Sequence, residues 1–97
     1  MYAIAVVRYR QPIERVVEMT DAHRAYLREL EAKGILLASG PMDPRFGGLL
    51  LLRLPEGDVL TQLEHIRDGD PFVKHQIAQY ELLPWVPGIG KERLDRL

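Results

Sequence analysis

His23 and Asp70 are the two residues whose types fit acid–base chemistry as a pair. An imidazole titrates near neutrality, and a neighbouring carboxylate selects one tautomer and steadies the protonated ring, so the two together can take a proton and return it. They stand 47 positions apart, His23 in His23-Arg24-Ala25-Tyr26-Leu27 and Asp70 at the head of Asp70-Pro71-Phe72, so only the fold can bring them together. Each also has a structural reading. A histidine on an apolar helix stripe can be a packed core residue, and an Asp before Pro is an ordinary helix cap. Arg8 is a candidate for holding a carboxylate or phenolate bidentately, or else a strand-end arginine in solvent. Ser39, Gly40 and Pro41 end a strand near the expected site, where Ser39 can donate to a substrate oxygen or satisfy nearby backbone. Phe72 can stack on a ligand or pack in the core.

The elements that must position these residues follow from periodicity. Tyr2 to Tyr9 alternates with apolar residues on both faces, as expected of a central strand, with Arg8 the odd charge. From Pro12 to Lys33, Val16, Met19, Thr20, His23, Tyr26, Leu27 and Leu30 recur at helical spacing, and Gly34 suits the position just past a helix end. Ile35 to Ser39 reads as a strand broken by Gly40-Pro41. The turn Asp43 to Gly48 leads into a partner strand from Leu49 to Leu54. Asp58 is placed to cap a helix with Val59, Leu60, Leu63 and Ile66 on its dry side, ended by Arg67-Asp68-Gly69. Asp70-Pro71 then starts a short helical turn, and Ile77 to Trp85 is the last strand. The segment 86–97 reads either as a short amphipathic helix on Leu94 and Leu97 or as disorder, giving a domain over 1–85 and a C-terminal tail.

The order β-α-β-β-α-β is that of an α+β, ferredoxin-like domain: an antiparallel sheet with both helices on one face. The other face would be bare. Strands as apolar as Leu49-Leu50-Leu51-Leu52 predict that a second subunit covers it, giving a homodimer.

A His in the first helix, Gly40-Pro41 after the second strand, Asp70-Pro71-Phe72 after the second helix and Pro84-Trp85 near the end occur here in that order. The arrangement resembles the YCII-related family over roughly Tyr2 to Trp85. The resemblance implies a dimeric α+β barrel and a cavity in which His23 and Asp70 form the polar pair of an active site. Relatives of that family include a dehydrochlorinase acting on a chlorinated hydroxyhydroquinone, and the fold is shared with muconolactone isomerases. Both reactions move protons without a metal.

Bulk properties remove other classes. At 97 residues the chain is one domain that buries about 60–65% of its unfolded surface, so its core is thin. A net charge of −1 gives no basic field for a nucleic-acid backbone. There is no cysteine, which excludes disulfides, thiolate nucleophiles and cysteine-ligated metals. His65 and His75 lack a second ligand at helical spacing, so no metal or cofactor is expected. No apolar run spans a bilayer and no signal segment is evident, so a cytoplasmic protein without membrane contact is expected. The expectation is therefore a small lyase or isomerase acting on a cyclic or aromatic acid or phenol, with a non-catalytic metabolite-binding or accessory dimer as its rival.

Overall fold

The structure, a computed structural model, describes residues 1–97. Strand β1 runs over Tyr2–Tyr9, and its alternation sends Ala3, Ala5 and Val7 to one face and Ile4, Val6 and Arg8 to the other. It lies inside the sheet, paired antiparallel with β3 (Gly47–Arg53) and with β4 (Ala78–Trp85). The hairpin strand β2 (Leu36–Pro41) pairs with β3 and completes the order β2-β3-β1-β4. All pairings are antiparallel, and the helices cover one face, so the fold is ferredoxin-like.

Helix α1 spans Ile13–Ala32 and buries Val16, Leu27 and Leu30. Pro12 sits just outside it, and its carbonyl accepts from the amides of Arg15 and Val16. At the far end Gly34 takes a φ of +76°, letting its own amide bond to Glu31 and that of Ile35 to Leu30. This double closure satisfies carbonyls that the helix leaves open, and the left-handed backbone it requires suits glycine. Helix α2 (Val59–Gly69) is capped by Asp58, whose carboxylate accepts from the Thr61 amide at 3.1 Å, a bond that holds the carboxyl below its ordinary range. It buries Leu63 and Ile66. The short α3 (Pro71–Lys74) follows at once, with Asp70 shared between the end of α2 and the start of α3.

These faces meet in one core, where Ala5, Val7, Leu50 and Leu52 of the sheet pack against Val16, Leu27, Leu63, Ile66 and Phe72 of the helices. The opposite sheet face is uncovered. There Ile4 lies level with Leu51 and Leu83, and Val6 with Leu49, all of them partly or fully accessible. No helix is long and apolar enough to cross a membrane.

Two boundaries differ from the sequence expectation. Gly40-Pro41 does not break β2, because this is an edge strand on which a proline forfeits no ladder bond; Gly40 pairs with Leu49 and Pro41 with Gly48. Strand β3 correspondingly starts at Gly47, where a side chain would collide with the Val7 carbonyl. The tail forms a helix, α4 (Lys91–Asp95), but polar contacts anchor it. The Tyr2 hydroxyl donates to Asp95 Oδ1 at 2.5 Å, and the Arg53 guanidinium donates to the Leu97 and Asp95 carbonyls at 2.9 Å each. Leu97 itself is 72% exposed.

Candidate active site

The dry stripe of α1 carries His23 and Tyr26 toward the junction of α2 and α3. The Tyr26 hydroxyl donates to the Ile66 carbonyl at 2.6 Å, tying α1 to the last turn of α2. A Cβ on Gly69 would lie 2.5 Å from that hydroxyl oxygen, so glycine is what permits the approach. The next residue is Asp70, and the contact therefore fixes where its carboxylate meets α1.

Asp70 is the buried charged residue of the molecule, at 0% exposure. Its Oδ1 accepts from the Phe72 amide at 2.9 Å, which caps α3. Nδ1 of His23 lies 2.9 Å from Oδ1 and 2.8 Å from Oδ2, and the Tyr80 hydroxyl donates to Oδ2. A carboxylate only accepts, so the neutral His23 ring carries its proton on Nδ1 and its lone pair on Nε2. Nε2 has no protein partner, and no buried side-chain polar atom is left unpaired, so Nε2 reaches open space. The ring is 14% exposed and lies flat on Phe72, with centroids 4.0 Å apart and planes within 3°. Three neighbours thus hold the imidazole: a carboxylate at one nitrogen, an aromatic face beneath, and Tyr80 fixing the carboxylate in turn.

The hydroxyls behind the ring are held in their protonated forms. Burial pushes the Tyr26 phenol up to about 12, with the Asp70 carboxylate adding to it. Burial and then the same carboxylate raise Tyr80 further still. Both remain donors across the whole physiological range.

His23 opens into a cleft of about 430 Å³ between α1 and the β2–β3 hairpin. Ser39, Gly40, Pro41 and Phe72 line it with His23, and Asp70 stands behind the ring, out of contact with the cleft. Arg8 is not brought there. Strand alternation puts it on the uncovered face with Ile4 and Val6, where it pairs with Glu81 at 3.2 Å and lies over the Phe46 ring. Phe72 is 2% exposed and serves as the floor under His23. No cluster of three or more His, Cys, Asp or Glu side chains is arranged to hold a metal.

Tyr80, Tyr9, Arg24 and Arg45 are not among the site residues expected from the sequence. For Tyr80 a signal existed: an inward hydroxyl on a strand must find a partner, and Tyr80 sits level with the inward Val7. For Arg45, in the hairpin turn, no local pattern points at the cleft.

A YCII-related domain model matches residues 1–86. The chain belongs to the YCII-related family. No curated protein matches this YCII-related chain. Among solved structures it is similar to the 5-chloro-2-hydroxyhydroquinone dehydrochlorinase of Burkholderia phenoliruptrix AC1100 in complex with 2,5-dihydroxybenzoquinone. That similarity has a TM-score of 0.73 at 22% identity and covers 92% of this chain and 97% of the other. At this identity the likeness shows the fold alone.

Proposed function

We propose that this protein is a small cofactor-independent lyase or isomerase acting on a cyclic or aromatic organic acid or phenol, with His23 as the acid–base group. The observation that carries the reading is the state of the imidazole: Nδ1 is engaged by a wholly buried carboxylate, while Nε2 faces a cleft of ligand size. A proton leaves a substrate C–H or O–H for Nε2, and Asp70 stabilises the imidazolium that forms. In an elimination the leaving group departs with its bonding electrons, so that the losses are one proton and, for a chlorinated substrate, chloride. In an isomerisation Nε2 returns the proton to another carbon. Ser39, which lines the cleft, is the donor to a substrate oxygen in this reading. The dehydrochlorinase activity of the structural neighbour supports the elimination form.

Release of chloride from 5-chloro-2-hydroxyhydroquinone is the assay, with His23→Ala as the variant. The expected result is turnover by the wild type and none by a variant that remains folded. Wild-type protein that binds 2,5-dihydroxybenzoquinone, returns it unchanged and turns over neither the chlorinated phenol nor muconolactone would favour a binding module instead. One observation suits that rival: Asp70 also serves as the cap of α3, so the constellation has a structural use without catalysis.

A second copy of the chain covering the open sheet face belongs to the same proposal. Ile4, Val6, Leu49, Leu51 and Leu83 make that face apolar, and a second sheet laid on it would remove it from water. Sedimentation should give a dimer for the wild type and a monomer for Leu51→Arg.

A further inference from the structure

The cleft carries more positive charge than an apolar binding site requires. Arg24, Arg28 and Arg45 line it against a single carboxylate, Glu31. Arg28 is paired with that carboxylate at 3.0 Å, and the two largely cancel. Arg24 and Arg45 enter no ion pair.

Arg45 is nevertheless held in place. Its Nε donates to the Tyr9 hydroxyl at 3.1 Å, and its guanidinium carbon lies 5.9 Å from the centre of that ring. This contact uses Nε and leaves both terminal nitrogens without a protein partner. Tyr9 meets Phe72 edge to face at 6.2 Å, and Phe72 carries His23 on its own face. Two packed rings thus connect the anchored guanidinium to the imidazole. Arg24 follows His23 on α1 and adds a second unpaired cation to the same space. Between them Leu27, Leu36, Leu50 and Phe72 supply an apolar lining suited to a flat ring.

We infer that the cleft selects a planar ring compound bearing a carboxylate or another resonance-delocalised oxyanion, gripped end-on by the terminal nitrogens of Arg45 with Arg24 as the supporting charge. The geometry of a guanidinium fork matches such an anion with two parallel hydrogen bonds. Held this way, the ring lies over the apolar floor with its reacting edge toward Nε2. The inference rests on the cleft of the acid–base reading, while its test is binding, which does not depend on turnover.

The test is an NMR titration of the intact protein with benzoate and with its neutral counterpart benzamide. Benzoate should bind about tenfold more tightly, and Arg45→Gln should remove about that factor from benzoate alone, as expected for a hydrogen-bonded charge contact. Arg24→Gln should weaken benzoate less and leave benzamide unchanged. Both arginines are exposed, so the variants should melt as the wild type does, which circular dichroism checks. Equal affinity for the two compounds, no binding of either, or an unaltered benzoate preference in Arg45→Gln overturns the inference. The same titration on His23→Gln separates it from the catalytic reading. A preference retained there supports the arginine grip even when turnover is absent, whereas a preference lost only there assigns the charge to the imidazole and overturns it.

Discussion

Replacing Asp70 with Asn changes almost no volume but reverses the hydrogen-bond logic behind His23. With the amide oxygen at the Oδ1 position the cap on the Phe72 amide survives. The amide nitrogen then occupies the Oδ2 position, 2.8 Å from His23 Nδ1 and in contact with the Tyr80 hydroxyl. An amide N–H cannot accept, and the oxygen that remains 2.9 Å from Nδ1 is the one already bonded to the Phe72 amide, so the balance moves to Nδ1 as acceptor with the proton on Nε2, which blocks the proposed base. The opposite amide orientation forfeits the cap. Exchanging charge-assisted contacts for neutral ones costs about 2 kcal/mol, since each hydrogen bond to a charged group is worth about 1.5–3 kcal/mol and neutral replacements return part of it. For a domain of this size that corresponds to a fall in Tm of about 8–16 °C. Long-range nitrogen–proton correlation spectra of the imidazole read the tautomer directly: Nδ1–H in the wild type and Nε2–H in the variant. Turnover should fall about 10²–10⁴-fold, the usual contribution of a positioned acid–base group. A variant that keeps the Nδ1–H tautomer and an unchanged Tm would refute the claim that Asp70 orients the ring.

Gly69→Ala should destabilise the fold by about 1–3 kcal/mol, the usual cost of overpacking, because the new methyl falls on the Tyr26 hydroxyl and pries α1 from α2. Urea unfolding checks it, and a neutral result would mean that the junction is loose. Alkaline pH should also unfold the protein. The raised folded-state phenols of Tyr26 and Tyr80 keep their protons while unfolded tyrosines ionise near about 10, so the unfolded state loses protons first. Stability is then complete below about 10 and declines as the pH rises through about 12, the value for Tyr26. Ultraviolet titration should find these two of the four tyrosines ionising only with unfolding; four ordinary titrations in folded protein would contradict it.

Much of the architecture is legible locally. Strand β1 can be read from end to end because its alternation is uninterrupted, and Gly34 marks the end of α1 because the reversal there needs a left-handed residue. The β2–β3 hairpin is misjudged for a non-local reason. Whether a proline ends a strand depends on whether that strand is an edge, which only the sheet order decides. Arg8 is misplaced by the converse problem: alternation puts it on a face, but which face meets the helices is not written in β1, since both are apolar. The sequence presents Asp70 as either a cap or an acid–base partner, as though one use excluded the other. A carboxylate has two oxygens, and here the cap uses Oδ1, Tyr80 uses Oδ2, and the ring nitrogen lies within hydrogen-bond distance of both. Arg45 is invisible because it comes from a turn whose place beside α1 is set by the rest of the sheet, and Tyr80 announces only a hydroxyl in need of a partner, the identity of that partner being settled by the packing of distant elements.

The Phe72 amide gives this arrangement an unusual reporter. It belongs to the first turn of a four-residue helix, where no backbone carbonyl is available to it, and its bond runs to the carboxylate that also holds His23. Exchange of that single amide hydrogen with solvent deuterium therefore requires Asp70 to let go. Its protection factor measures the free energy of opening the constellation itself, without any substrate, and a ligand that seats against His23 should slow it.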